Sequence, residues 1–415
     1  MMATLESKEL LGCLERSLGK QGAEAALEAF RGEASVSVRL NPYKQPADGE
    51  LFPGAVRIPW SEHGRMLSER PSFTLMPEFH AGAFYVQDSS AMFVGHVFRK
   101  LLDRFSGRDG LRVLDLCAAP GGKTTDLAAS LRAVFGDNFT LVANEVMRQR
   151  ASVLSDNVAL WGDPAVIVTS VDPKAFARFE GFFDIIVADV PCSGEGMFRK
   201  DPRALEEWSG KTVELCAARQ RRILADVWPA LKEGGALLYS TCTFEPSEND
   251  GNLLWAAEEL GGEILPPDGE FGLRTTSCGH LLVPGEVPGE GQWAGVMIRT
   301  APGRTDRKLR VQDLSVLRPL RMGTSPGEMK GNDFVPDPDS PLSISFDHTA
   351  FPSADVDRAT ALAFLHRDAI SLPDSPKGYI VITYRGLPLG FVKNVGTRCN
   401  NLLPQSRRIR MDIRI

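Results

Sequence analysis

From about residue 110 the chain alternates short β-branched or aliphatic runs with stretches of helical period. RVLDL (112–116), TLVANE (140–145), AVIVTSVD (165–172), FDIIVADV (183–190), ALLYST (236–241) and WAGVMIR (293–299) predict buried strands. Between them the spacing predicts helices over 123–134, 146–160 and 211–232, and another after Ser247, where Ser247 and Asp250 form a variant capping box. Such alternation predicts an α/β fold, a mostly parallel sheet with helices on both faces. Ahead of it, Leu10, Leu11, Leu14 and Leu18 recur at helical spacing and predict an amphipathic helix. After Thr300 the alternation stops. Residues 301–345, rich in Pro, Gly, Asp and Arg, read as a connector; GYIVITYRGLPLGFVKNVG (378–396) reads as a hairpin or small barrel. The chain closes on NNLLPQSRRIRMDIRI (400–415), with Arg407, Arg408, Arg410 and Arg414. The expected division is an amino-terminal extension (1–75), a catalytic unit (76–300), the connector (301–345) and a closing unit (346–415).

Composition narrows the class only moderately. The 415 residues are 43% hydrophobic and 24% charged, which suits ordinary globular domains. A net charge of −6 argues against a uniformly basic nucleic-acid binder, so any polyanion site must be a local patch. No run is apolar enough to span a bilayer, and the acidic start lacks a secretory h-region. Seven cysteines, an odd number with no C-x-x-C pair, argue against a disulfide framework or zinc site; a reducing cytoplasm and a metal-free protein are expected. Nothing suggests an obligate interface, so a monomer is expected.

Chemistry enters with two cysteines at the ends of apolar runs: Cys192 in VADVPCSGEG and Cys242 in LLYSTCTFEPS. Either alone reads equally as a small core hydrophobe. At the carboxyl edge of an open α/β sheet, where ligands bind, two thiols suggest chemistry that needs sulfur. VLDLCAAPGGKTTDLAA (113–129) is a strand, a tight loop and a helix start, with Gly121 and Gly122 letting backbone approach a ligand. A P-loop ATPase, with Asp189 on magnesium, would need Gly where Cys117 stands. A nucleoside-cofactor site instead needs an acid at the next strand end to grip ribose, which Glu145 supplies; Asp172 ends the third strand and suits an adenine amino group, and Asp189 ends the fourth.

LDLCAAPGGKT, ADVPCSGEGMFRKDP (188–202) and YSTCTFEPSEND (239–250) resemble three motifs of the Nop/Sun family of RNA cytosine-C5 methyltransferases. SVSVRLNPYK (35–44) and YVQDSSAM (85–92) are similar to its upstream segments, and LPLGFVKNVGTRCNNLLPQSRRIRM to the PUA-like domain of the F-type bacterial enzymes for small-subunit ribosomal RNA. The resemblance implies a Rossmann-like S-adenosylmethionine-dependent methyltransferase domain, an amino-terminal α+β extension that meets RNA, and a PUA-like β-rich domain. It implies 5-methylcytosine formation in 16S ribosomal RNA, free or in the 30S subunit, with transfer RNA as the alternative substrate.

C5 of cytosine is a poor nucleophile until a thiolate adds at C6. A thiol of pKa near 8.5 is only about 3% ionised at pH 7, so half ionisation needs roughly 2 kcal/mol of stabilisation, for which Lys123 or the helix after Ser247 is placed in sequence. The resemblance implies Cys242 as the attacking thiolate, Cys192 as the thiol that assists product release, and Asp189 on the cytosine N3/N4 edge; the DNA enzymes' Pro-Cys motif gives the rival assignment of Cys192 as nucleophile. Cofactor contacts are expected from Cys117, Ala118, Ala119, Pro120, Gly121, Gly122, Lys123, Glu145, Arg150, Asp172 and Asp189, and RNA contacts from Phe198, Arg199, Lys200, Arg407 and Arg408. The alternating Arg/Ile terminus also describes an edge strand. Gln292 and Trp293 stand where the family has two aromatics, and Ser61 is a milder departure; none is expected to touch a residue assigned to chemistry.

Overall fold

The computed structural model describes residues 4–303 and 309–413. A 24-residue helix, α1 (Lys8–Arg31), comes first, kinked at Gly19, whose φ of +74° favours glycine. Leu10, Leu14 and Leu18 are buried as their spacing predicts; Leu11 is half-buried. The strands β1 (Val36–Leu40), β2 (Val56–Ile58), β3 (Ser61–Leu67) and β4 (Phe84–Val86) form a small antiparallel sheet in the order β2-β3-β1-β4, with the one-turn helix α2 (Pro77–His80) between the last two.

After α3 (Met92–Leu102) the large sheet begins. Its parallel centre comprises β5 (Leu111–Asp115), β6 (Phe139–Asn144), β7 (Val166–Thr169), β8 (Phe183–Asp189) and β9 (Leu231–Thr241), connected through α4 (Gly122–Phe135), α5 (Arg148–Trp161), α6 (Pro202–Glu207) and α7 (Gly210–Val227). β5 lies in the middle. The chain runs outward from it through β6 and β7, then returns to lay β8 and β9 on the other side. That reversal opens a crevice at the carboxyl ends of β5 and β8, where doubly wound sheets take ligands. β8 is almost wholly buried, which is why FDIIVAD reads as an unbroken apolar run instead of an alternating one.

Three expectations need correction here. The helix expected over 211–232 ends at Val227, because Trp228-Pro229-Ala230 turn the chain into β9. The helix after Ser247, α8 (Asp250–Ala256), has no capping box: Ser247 is exposed in a turn, and Asp250 Oδ1 instead accepts from the Cys278 backbone N–H (2.7 Å) and Ser277 Oγ (2.8 Å). The connector is also structured. Beyond the antiparallel strands β10 (Gly262–Leu265), β11 (Arg274–Thr275), β12 (Gly279–Leu282) and β13 (Gln292–Arg299), it supplies β14 (Arg321–Met322), which pairs with β7 at the sheet edge. It then forms a hairpin of β15 (Gly327–Lys330) and β16 (Asp333–Pro336).

The closing unit holds β17 (Ser353–Asp355), α9 (Arg358–His366), β18 (Gly378–Tyr384), β19 (Leu387–Asn394) and β20 (Cys399–Asn401), with β18 and β19 forming the expected hairpin. It shares one apolar core with the amino-terminal sheet: Val38, Leu40, Phe73 and Phe84 pack in the same cluster as Phe364, Ile380, Leu387 and Leu389. Arg385 bridges the two units, donating to Glu78 (2.8 Å) and Asp48 (2.6 Å). All seven cysteines are free thiols, and among the described residues no helix is long and apolar enough to cross a membrane.

Candidate active site

Adjacent parallel strands carry the two thiols to one point. Asp189 ends β8 and Thr241 ends β9, so Cys192 and Cys242 emerge side by side, with Sγ atoms 3.2 Å apart. The Cys192 thiol is pushed well up: its hydrogen bond with Cys242 first, then burial, then the nearby Glu248 and Glu195 all disfavour its thiolate. Lys123, on the first turn of α4, points at the same place. Its Nζ lies 2.9 Å from Asp189 Oδ2; burial works against the ammonium, but Asp189 and, more weakly, Cys242 outweigh that and hold its pKa above the usual range. Ser240 Oγ donates to Asp189 Oδ1 at 2.7 Å.

The glycine loop borders the same crevice. Gly121 has φ +114°, which favours glycine, and a Cβ on Gly122 would meet the Tyr85 ring at 3.1 Å, so the turn packs tightly against its neighbours. Asn144 ties the strand ends together: its Nδ2 donates to Leu116 O and Val171 O, and its Oδ1 accepts from Thr169 Oγ1 and the Val171 N–H. Glu145 is buried, accepts from the Met147 N–H at 2.9 Å, and pairs with Arg150 at 3.1 Å; Arg150 also donates to Ala119 O. Asp172 is exposed, commits one oxygen to the Lys174 N–H and lines the crevice. The resulting cleft of about 830 Å³ is lined by Cys117, Ala119, Glu145, Arg150, Asp172, Asp189, Cys192 and Cys242 among others. Cys117 lies in its floor with its thiol pushed up by burial, and Asp115 beneath is pushed up to about 7 for the same reason. Ala118, Pro120, Gly121 and Gly122 border the cleft without lining it.

Most of the side chains expected to meet RNA have partners within the protein. Phe198 is buried and packs edge-on against Phe30 at 5.4 Å, so it has no face to offer a base. Arg199 pairs with Glu290 at 2.5 Å and donates to Gly289 O and Glu33 O, and Lys200 pairs with Asp88 at 3.0 Å. Arg407 pairs with Asp339, an internal ion pair. Arg408 is half-buried with its Nε unpartnered, Ile409 is buried, and the segment forms a 3₁₀ turn, not an edge strand; Arg410 is exposed and Arg414 lies outside the described residues. Gln292 also departs from expectation, since its Nε2 donates to Asp189 Oδ1 and Thr241 O. Trp293 is buried and bonds Thr276 Oγ1.

Sequence reasoning missed the acid network under the thiols. Glu248 accepts from the Ser193 N–H (3.1 Å), Ser193 Oγ and Gln220 Nε2 (2.7 Å), and burial raises it to about 7. Glu195, equally buried, accepts from Trp208 Nε1 at 2.7 Å, and its carboxyl lies 3.0 Å from the same Ser193 Oγ. In sequence both carboxylates look like solvated loop acids; only their place inside the two motifs hinted otherwise. No group of three or more His, Cys, Asp or Glu among the described residues is placed to hold a metal.

This fold and cleft define a class, a Rossmann-like methyltransferase domain between an amino-terminal α+β unit and a PUA domain. Solved structures share the fold: a methyltransferase homolog protein from Pyrococcus horikoshii (TM-score 0.59, 25% identity, 71% of this chain and 96% of that one) and NSun6 from Pyrococcus horikoshii with SFG (TM-score 0.57, 17% identity, 71% and 98%). More particularly, residues 105–257 match the family described as 16S rRNA methyltransferase RsmB/F, residues 8–89 the N-terminal domain of 16S rRNA methyltransferase RsmF, and residues 351–409 the methyltransferase RsmF PUA domain. Proteins named ribosomal RNA small subunit methyltransferase F from Shigella dysenteriae serotype 1 and Escherichia coli O127:H6 are each 39% identical over 218 residues, 50% of this chain and 43% of theirs. The chain thus spans under half the length of the curated relatives it matches. The resemblance carried by the motifs is borne out, and the two flanking matches, though not the catalytic one, name the RsmF kind in particular.

Proposed function

We propose that this protein is an S-adenosylmethionine-dependent RNA cytosine-C5 methyltransferase acting on small-subunit ribosomal RNA. The observation that carries the reading is the meeting of two free thiols, 3.2 Å apart, with a carboxylate held by Lys123 at the same strand ends. The donor set fits the cofactor: Glu145 just past the second strand suits ribose hydroxyls, Asp172 beyond the third has a free oxygen for an adenine amino group, and both line the cleft. When bound, the cofactor supplies an electrophilic methyl group.

The chain's own residues do the rest. Cys242 forms the S–C6 bond, assisted by the Lys123 charge, and C5 gains electron density. Asp189 accepts an N–H from the cytosine edge and so favours the N3-protonated adduct. After methyl transfer a water in the open cleft takes the C5 proton, the C5–H electron pair becomes the C5=C6 bond, and the C6–S bond breaks with its pair on sulfur. Cys192 suits this second stage. Its surroundings keep it a thiol, able to donate to the departing sulfur, which also argues against it as the nucleophile.

Bisulfite sequencing of ribosomal and transfer RNA from a deletion strain, complemented with each variant, tests the reading. A missing 5-methylcytosine in small-subunit RNA, restored by the parent and not by Cys242→Ala, is expected, with Cys192→Ala accumulating a covalent protein–RNA adduct. An adduct that requires Cys192 and survives Cys242→Ala would reverse the roles. Loss of the mark from transfer RNA alone would change the substrate.

A further inference from the structure

We propose that Gln292 is a positioning residue that locks Asp189 in register with the Cys242 loop and leaves that carboxylate one acceptor site for the target base. The inference rests on the function proposed above. Gln292 is the first residue of β13 and is only 2% exposed. Its side-chain nitrogen donates to Thr241 O at 2.7 Å and to Asp189 Oδ1 at 3.2 Å. Both partners are acceptors, so it is the amide nitrogen and not the oxygen that faces them. Thr241 immediately precedes the Cys242 thiol and Asp189 ends the neighbouring strand; one NH₂ group therefore spans the two strand ends that must hold their relative height for the chemistry.

The count of acceptor sites sharpens this. An ionised carboxylate offers about four lone-pair sites. Ser240 Oγ and Gln292 Nε2 occupy Oδ1, and Lys123 Nζ occupies Oδ2. One site is left, and Asp189 remains partly open to the cleft, so it takes a single N–H from the base edge. An aromatic hydrocarbon ring at position 292 supplies neither donation, and a carboxylate would set like charge against Asp189. The neutral amide adds a donor without adding charge. Without it, Asp189 keeps two partners and a second free site, and its plane is free to turn.

The test is steady-state methylation of small-subunit RNA from the deletion strain by the full chain and three variants. Gln292→Met keeps length and removes both donations; losing a buried bond to a carboxylate predicts kcat lower by on the order of tenfold to hundredfold. KM for S-adenosylmethionine and the melting temperature with it bound are expected to stay within about twofold and within about 2 °C. Gln292→Glu is expected to lose more, and Gln292→His, which can present one ring N–H, to recover most of the parent kcat. A Gln292→Met enzyme with the parent kcat overturns the proposal. So does a loss shared equally by kcat and cofactor KM with no recovery in Gln292→His, the mark of a packing role. Should Gln292→Met fail to fold, Gln292→Glu against Gln292→His makes the same comparison at similar volume. A parent that forms no 5-methylcytosine at all brings down the function and this inference together, whereas an active parent with an indifferent Gln292→Met brings down the inference alone.

Discussion

Replacing Glu248 by Gln isolates the electrostatic cost of the acid beneath the two thiols. Burial raises Glu248 from 4.5 to about 7, against hydrogen bonds from Ser193 and Gln220 that favour its charged form. The sign follows from linkage. Below pH 4.5 the group is protonated in both states and carries no penalty; as pH rises toward 7 the unfolded chain ionises while the folded one resists, so stability is lost through that window. For a shift of this size the penalty is about 1 kcal/mol at pH 5 and about 3 kcal/mol at pH 8. In the Glu248→Gln variant the new amide would keep its carbonyl toward the Ser193 N–H and Gln220 Nε2 and turn its NH₂ to Ser193 Oγ, which can accept. Any rearrangement cost is independent of pH, so the slope is diagnostic. Urea denaturation of parent and Glu248→Gln at pH 5, 6, 7 and 8 should show the variant gaining about 2 kcal/mol relative to the parent between the ends of the series. Asp115 has a slope of the same sign but is present in both proteins and cancels. A difference that is flat with pH, or that favours the parent increasingly toward pH 8, would refute the argument that Glu248 is held as a neutral acid.

Two further outcomes follow from buried partners. Arg39, 1% exposed, donates to Gln87 Oε1 (2.9 Å), Gly122 O (3.1 Å) and Thr125 Oγ1 (2.5 Å) and lies over the Trp161 ring; Arg39→Met is expected to cost about 3 to 5 kcal/mol and to weaken cofactor binding by loosening the glycine loop, and a loss below about 1 kcal/mol by denaturation would contradict it. Phe198→Ala is expected to cost about 3 to 5 kcal/mol of stability while leaving the salt dependence of RNA affinity unchanged; an equally stable variant with weaker RNA binding would restore Phe198 as a base-stacking residue.

The central strands were legible because β-branched runs such as FDIIVAD have one strong preference once both faces are buried. Strand ends were legible too, since Cys192, Cys242, Glu145 and Asp189 each stop an apolar run. What escaped was pairing between distant residues. Arg199 and Arg407 look like free cations in sequence; only the fold brings Glu290 and Asp339 against them. The helix after Ser247 follows the same logic, its local capping signal overridden when Asp250 takes the Cys278 N–H. Gln292 stands out in sequence only as a departure from a family pattern, and its meaning depends on β13 pairing antiparallel with β9, so that its neighbour Trp293 lies opposite Thr241.

The core shared by the amino-terminal sheet and the closing unit has a consequence for synthesis. Val38, Leu40 and Phe84 leave the ribosome early, yet the residues that cover them, Phe364, Ile380 and Leu389, follow some three hundred residues later, about the length of two ordinary domains. The small sheet therefore stays incompletely buried for most of translation, with its contacts among the longest-range in the protein. Arg358 donating to Leu75 O and Arg385 bridging to Glu78 form only when the closing unit arrives. Nascent chains halted before α9 should present that sheet to chaperones and proteases, so the closing unit acts as a late clasp on one of the first parts of this sequence to be made.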